Sequence, residues 1–175
     1  AAMSSDCVPV LASLNASIVN VGGGGRREIP VLDYYGSDGT KHIKRLDDEI
    51  TTAVQVPVPT TPTRARYAKW TVRGSIDFPL VSVALNFELE RDTARSAVRG
   101  ARVVAGVLGS KPRLITRIDE VIGRELSDPE VARIVGERVY AQCKPLENVP
   151  YEAPYRRQMV RVHAERAIEA MVEAG

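Results

Sequence analysis

Groups that hold metals are scarce in this chain. It has two cysteines, Cys7 and Cys143, and two histidines, His42 and His163, in 175 residues. None of them falls at ligand spacing, which argues against a zinc or iron–sulfur site made by this chain alone. His163 falls on a helical pattern and reads as structural. Two thiols without a disulfide framework fit a cytoplasmic chain better than a small secreted one. No stretch approaches the ~18 apolar residues of a membrane span, and no secretory signal pattern is read. Charge of one sign is lacking too. The net charge of +2 argues against a dedicated nucleic-acid or membrane-surface protein. No Ser/His/Asp or Cys/His set is apparent, and no carboxylates pair in the way acid–base catalysis needs.

What is present is an ordinary globular composition, 44% hydrophobic, enough for one compact domain or two small ones. Residues 1–6 read as a loop leading into a helix over Cys7–Leu14. Asp6 suits its N-cap and Pro9 its first turn. Ala16–Val21 and Arg26–Val31 read as strands joined by Gly22–Gly25. Four glycines invite a phosphate loop, but no helix follows to receive the phosphate and no Gly-x-Gly-x-x-Gly frame exists. Leu32–Tyr35 is a helical turn, Gly36–Gly39 a loop, and Thr51–Val56 a β-branched strand. Three prolines in six residues, Pro57, Pro59 and Pro62, make a stiff connector. The expected division is therefore 1–57, a connector over 58–63, and 64–175.

After the connector, strands are expected over Arg64–Val72, Val81–Glu90 and Ala97–Leu108. The middle one alternates as a half-buried antiparallel strand. The period then changes. Helices are expected over Pro112–Arg124, Pro129–Ala141 and Tyr155–Ala174, the second opened by Ser127-Asp128-Pro129-Glu130. Lys144-Pro145-Leu146-Glu147-Asn148 separates the last two. The order predicts an α+β fold, a three-stranded antiparallel sheet covered on one face by helices.

The stretch Tyr67–Val83 holds the only Trp and places Lys69, Arg73 and Asp77 four apart. Trp70, Thr71 and Val72 favour a strand, Gly74 and Ser75 a turn, and Pro79 forbids a helical bond. The expectation is a strand, a tight loop presenting Lys69, Arg73 and Asp77 together, and a second strand. Arg64, Arg66, Tyr67, Lys69, Trp70 and Arg73 also interleave bases with aromatics, as single-strand nucleic-acid platforms do. Alternation leaves one ring per face, which makes a poor platform.

Lys69-x-x-x-Arg73-x-x-x-Asp77-Phe78-Pro79-Leu80-Val81-Ser82-Val83-Ala84 resembles the C-terminal domain of the flavin subunit of molybdenum hydroxylases, the carbon monoxide dehydrogenase and xanthine dehydrogenase family. Ser5-Asp6-x-x-Pro9, Glu49-Ile50-x-x-x-Val54-x-Val56-Pro57 and the closing Tyr155-Arg156-Arg157 are similar to it as well. Pro145-Leu146-Glu147-Asn148 leans toward the 4-hydroxybenzoyl-CoA reductase branch, whose extra iron–sulfur loop has no cysteine cluster here to match. The resemblance implies that 1–57 is the rear part of an FAD-binding domain and that 64–175 is the C-terminal domain. It implies bound FAD, with Asp6 close to it and Lys69 near the flavin N1–C2 edge. Thr51 and Thr52 would approach the flavin where the family often has Leu, and Arg73 and Asp77 would hold the loop. It further implies an oxidoreductase that moves electrons between iron–sulfur clusters and an external acceptor. A molybdenum-binding large subunit and an iron–sulfur small subunit would be its partners, with the molybdenum cofactor and the clusters on them. The alternative is a flavin-free scaffold that docks partner subunits.

Overall fold

In the computed structural model, which describes residues 4–38, 40–147 and 150–174, helix α1 (Cys7–Ser13) leads into the hairpin β1 (Ser17–Gly22) and β2 (Gly25–Pro30). Gly25 takes φ +100°, the left-handed conformation that closes this turn without a Cβ clash. One helical turn, α2 (Val31–Tyr34), and strand β3 (Ile50–Gln55) follow. β3 returns antiparallel beside β1, giving a sheet of order β2-β1-β3. The expected elements of this half are all present. Residues 1–3, Gly39 and Asn148, on which some expectations fall, lie outside the described residues.

The second sheet contains β4 (Thr63–Trp70), β5 (Val81–Leu89), β6 (Val98–Gly106) and β7 (Arg113–Leu114), antiparallel and in sequence order. Helices α3 (Pro129–Gln142) and α4 (Ala153–Glu173) close one face. Their stripes of Val135, Val139, Val160, Ala164 and Ile168 meet Val83, Leu85 and Phe87 in the main core. Asp128 caps α3 as its sequence suggests, accepting from the Glu130 amide at 2.9 Å.

Two expectations need correction. Pro112–Arg124 is not a helix. It is the short strand β7, an extended link and a 3-10 turn over Asp119–Val121. Ile115, Ile118 and Val121 are buried three residues apart, which imitates a helical stripe. Positive φ at Arg117 (57°) and Gly123 (82°) breaks any helix. The backbone is instead satisfied by the sheet: Ile115 N donates to Val103 O at 2.9 Å, and Gly123 N to Val98 O at 2.8 Å. The sheet therefore has four strands, and two long helices cover it.

The other correction concerns β5, which is not half-exposed at its start. Ser82 and Ala84 are as buried as Val83, because α1 lies on the opposite face of the sheet. Gly106 permits this approach; a Cβ there would stand 2.8 Å from Pro9 Cγ. The last carbonyls of α1 are taken up by the sheet. Arg102 Nε donates to Ala12 O at 2.7 Å, and Asn86 Nδ2 to Ser13 O at 3.2 Å. Val104 thereby joins a smaller core with Val8, Ala12, Ala16, Ile18, Val31 and Tyr34.

Candidate functional site

Alternation along β4 puts Tyr67 and Lys69 on the α1 face, opposite Ala84 and Ser82 of β5. There both meet Asp6, more than sixty residues earlier. Lys69 Nζ donates to Asp6 Oδ2 at 2.7 Å, and Tyr67 Oη donates to Asp6 Oδ1 at 2.8 Å. Asp6 occupies the N-cap position of α1, as expected, but its carboxylate makes no capping bond. Ser5 Oγ takes that role by accepting the Val8 amide at 3.2 Å. The side chains of Lys69 and Asp6 are 27% and 45% exposed, so the pair is open to a ligand. Burial, and then the hydrogen bond to Asp6, raise the Tyr67 hydroxyl well above its ordinary pKa, so it stays a donor.

Arg73 and Asp77 do pair, but without Lys69. The Asp77 carboxylate accepts from the Arg73 amide at 2.8 Å, the Arg73 guanidinium at 3.2 Å and the Phe78 amide at 3.0 Å. The Arg73 amide, followed by its guanidinium, lowers the Asp77 pKa. Lys69 sits in β4, not in this loop, so the expected three-residue cluster is two separate pairs. Ile76 and Phe78 point outward from the loop, 95% and 73% exposed.

Thr51 and Thr52 lie on the other sheet. Thr51 Oγ1 donates to Asn20 Oδ1 at 2.8 Å and shares a 3.3 Å bond with Tyr34 Oη. Thr52 Oγ1 donates to Val19 O at 3.3 Å. Among the described residues no hydrogen bond joins either threonine to Asp6 or Lys69. Glu49, just before them, is buried and clamped by Arg27 through bonds of 2.8 and 2.7 Å. That clamp, with the Leu46 amide, brings its carboxyl down to about 2.

Sequence reasoning missed Arg156. It is fully buried and donates to three carbonyls: Leu80 at 3.2 Å, Leu146 at 2.8 Å and Val107 at 2.9 Å. The available signal was its spacing, four before Val160 and eight before Ala164 on the inner stripe of α4. The ring of Trp70 faces α4, packed against Tyr151, Tyr155 and His163 with centroids 5.1, 5.7 and 6.5 Å away. Its neighbours in the protein occupy it, which counts against a nucleic-acid stacking platform. Cys143 is buried, with its thiol pushed up to about 12 by desolvation, so it is no nucleophile. No group of three or more potential metal ligands exists among the described residues, and no described helix is long and apolar enough to cross a membrane.

A family model for the CO dehydrogenase flavoprotein C-terminal domain matches residues 64–171. The glyceraldehyde dehydrogenase medium chain of Sulfolobus acidocaldarius is 28% identical over 167 residues, 95% of this chain and 56% of that protein. Two solved structures share the fold. Carbon monoxide dehydrogenase from Hydrogenophaga pseudoflava, in a form lacking the Mo-pyranopterin moiety, has a TM-score of 0.82 at 18% identity, over 96% of this chain and 56% of that one. Quinoline 2-oxidoreductase from Pseudomonas putida 86 also gives 0.82, at 17% identity, over 98% and 57%. The chain thus spans little more than half the length of the proteins it matches. With the four-stranded sheet, its two covering helices and the 64–171 match in agreement, this chain belongs to the CO dehydrogenase flavoprotein C-terminal domain family.

Proposed function

We propose that this chain is part of the FAD-binding medium subunit of a cytoplasmic, multi-subunit molybdenum hydroxylase. In this reading 1–57 is the rear of the FAD-binding domain, 58–63 the connector and 64–175 the C-terminal domain. A molybdenum-binding large subunit and an iron–sulfur small subunit are the partners, and chemistry on the organic substrate takes place on the large one. The relative named as a medium chain supports this assembly.

One observation carries the reading. Asp6 and Lys69, each singled out by a separate motif, converge at 2.7 Å while remaining accessible. Their chemistry fits an isoalloxazine edge. A carboxylate accepts from an imide N–H, and an ammonium donates to the adjacent carbonyl. Bound FAD supplies the step between paired and single electrons that links a substrate site to an external acceptor. Lys69 puts positive charge where reduction builds negative charge, and so favours the reduced form. Asp6 holds the Lys69 ammonium in place and tempers its charge. Tyr67 holds Asp6. Arg73 and Asp77 keep the neighbouring loop in shape, and Thr51 and Thr52 line the approach from β3.

The test is a redox titration of the FAD-loaded protein. Lys69→Met is expected to lower the flavin potential and Asp6→Asn to raise it, because the two changes remove opposite charges. No shift in either variant would refute the flavin site. A second reading, a flavin-free docking scaffold, draws on the outward-facing Ile76 and Phe78. It predicts a colourless protein that still assembles with partner subunits.

A further inference from the structure

A guanidinium with no solvent exposure normally has a carboxylate beside it, since burying a lone charge is costly. Arg156 makes no ion pair among the described residues. Its three nitrogens instead reach three carbonyls, each on a different connecting segment of residues 64–174. Leu80 lies at the end of the loop between β4 and β5. Val107 directly follows β6. Leu146 lies in the link from α3 to α4. Val107 has φ 66°, a left-handed conformation that a β-branched residue avoids. Such a residue persists where surrounding bonds over-determine it, and Arg156 supplies one of them.

The Leu80 bond reaches toward the candidate site. The Leu80 amide donates to Trp70 O at 2.8 Å, closing the loop that begins directly after Lys69 and Trp70. Tyr155, the neighbour of Arg156, sets its ring edge-on to the Trp70 indole. The start of α4 therefore holds the end of β4 twice, once through the Arg156 guanidinium on Leu80, whose amide is bonded to Trp70 O, and once by the Tyr155 ring. We infer that Arg156 is a positioning residue: by clasping Leu80, Val107 and Leu146 it fixes the Trp70 end of β4 and thereby the direction of the Lys69 ammonium. Lysine cannot replace it in this role. A planar fork of five donors serves three divergent acceptors, whereas one ammonium on a flexible stem does not.

The link to Lys69 rests on the flavin reading, and the experiment separates the two. Arg156→Lys is compared with wild type and with Lys69→Met, all loaded with FAD, at a temperature where far-UV circular dichroism is unchanged. Trp70 is the only tryptophan, so its emission reports on this point alone. Acrylamide quenching of Trp70 is expected to rise in Arg156→Lys. Hydrogen exchange at the Leu80 amide is expected to quicken by at least about tenfold, as local opening replaces global opening. The flavin potential is expected to move in the direction that Lys69→Met moves it. Unchanged Trp70 quenching and Leu80 exchange would overturn the clasp. A potential that responds to Lys69→Met but not to Arg156→Lys would overturn the link from the clasp to Lys69. If neither variant moves the potential, the flavin reading fails, while the Trp70 and Leu80 readouts still decide the clasp. Should Arg156→Lys not fold, native-state exchange of the wild type decides: the Leu80 amide must open only with the whole domain, and earlier opening overturns the inference.

Discussion

The pair at Asp6 can be weighed by a double-mutant cycle on Asp6→Asn and Lys69→Met, with Tyr67→Phe as a third arm. Asp6 receives one bond from an ammonium at 2.7 Å and one from a phenol at 2.8 Å. Hydrogen bonds to charged groups contribute roughly 1.5–3 kcal/mol when shielded from water. These groups are not shielded: Asp6 is 45% and Lys69 27% exposed. Exposed ion pairs contribute about 0.2–1 kcal/mol, and that range governs here. Lys69→Met should therefore cost about 0–1 kcal/mol and Asp6→Asn about 1 kcal/mol, with a coupling of about 0.5 kcal/mol between them. For a domain of this size about 1 kcal/mol moves the melting temperature by roughly 2–4 °C. Urea unfolding of the four species of the Asp6–Lys69 cycle, at low and at high salt, reads that coupling directly. It should shrink with salt, because the charges are within reach of counterions. A coupling below about 0.2 kcal/mol would refute the expectation that the pair contributes to stability. A cost above about 3 kcal/mol for Lys69→Met would mark a buried structural pair, and would refute the claim that it is open to a ligand.

Two further outcomes follow from the packing and the charges. Gly106→Ala sets a methyl 2.8 Å from Pro9 Cγ and against Ser82 Oγ. The hydroxyl can rotate away but the proline ring cannot, so α1 should lift from the sheet at a cost of about 1–3 kcal/mol. A melting curve identical to wild type would mean that α1 is not seated there. Glu49 titrates near 4.5 when free and at about 2 in the fold, held down first by Arg27. A depressed carboxylate gives stability that is complete above its unfolded pKa and is lost as pH falls through its folded pKa. Melting temperature should therefore fall between pH 4.5 and about 2, and Glu49→Gln should flatten that fall. Asp77 and Asp128, also lowered, leave some acid sensitivity behind. Equal slopes in wild type and Glu49→Gln would place the acid sensitivity elsewhere.

What could be read in the sequence was local. The Asp128-Pro129 start of α3, the alternation of Val81–Leu89 and the glycine turn after β1 each depend on neighbours a few residues apart. The helix expected over Pro112–Arg124 failed for the opposite reason. Ile115, Ile118 and Val121 fit a helical template, but β6 claims the backbone at both ends of the segment: Val103 O takes the Ile115 amide and Val98 O the Gly123 amide. At Lys69, Arg73 and Asp77 the strand–loop–strand expectation put all three in one cluster, whereas Lys69 stays in β4 and pairs elsewhere. Spacing showed the Arg73–Asp77 bond, yet nothing near Lys69 reveals that its partner is Asp6. Arg156 was missed because a charge at an apolar position of a stripe reads as an interruption. Its partners are carbonyls, which every residue carries and no sequence pattern marks.

The charged groups that the fold brings inward differ in what they have left to offer. Both oxygens of Glu49 are engaged, by two Arg27 nitrogens and the Leu46 amide, and the side chain is buried. Three of its about four acceptor sites are filled and the side chain is enclosed, so it has little to offer a ligand. Arg156 is equally enclosed, its fork spent on three carbonyls. Lys69 is different. An ammonium has three donors, and among the described residues Asp6 takes one of them. Asp6 in turn can accept about four bonds and receives two from Lys69 and Tyr67. The pair combines spare donors, spare acceptors and partial exposure, so a ligand with adjacent N–H and carbonyl groups can be added without removing any bond already made. A site built in this way costs the fold little when it is empty. That is why the stability cycle at Asp6 and Lys69 and the redox titration probe two sides of one arrangement.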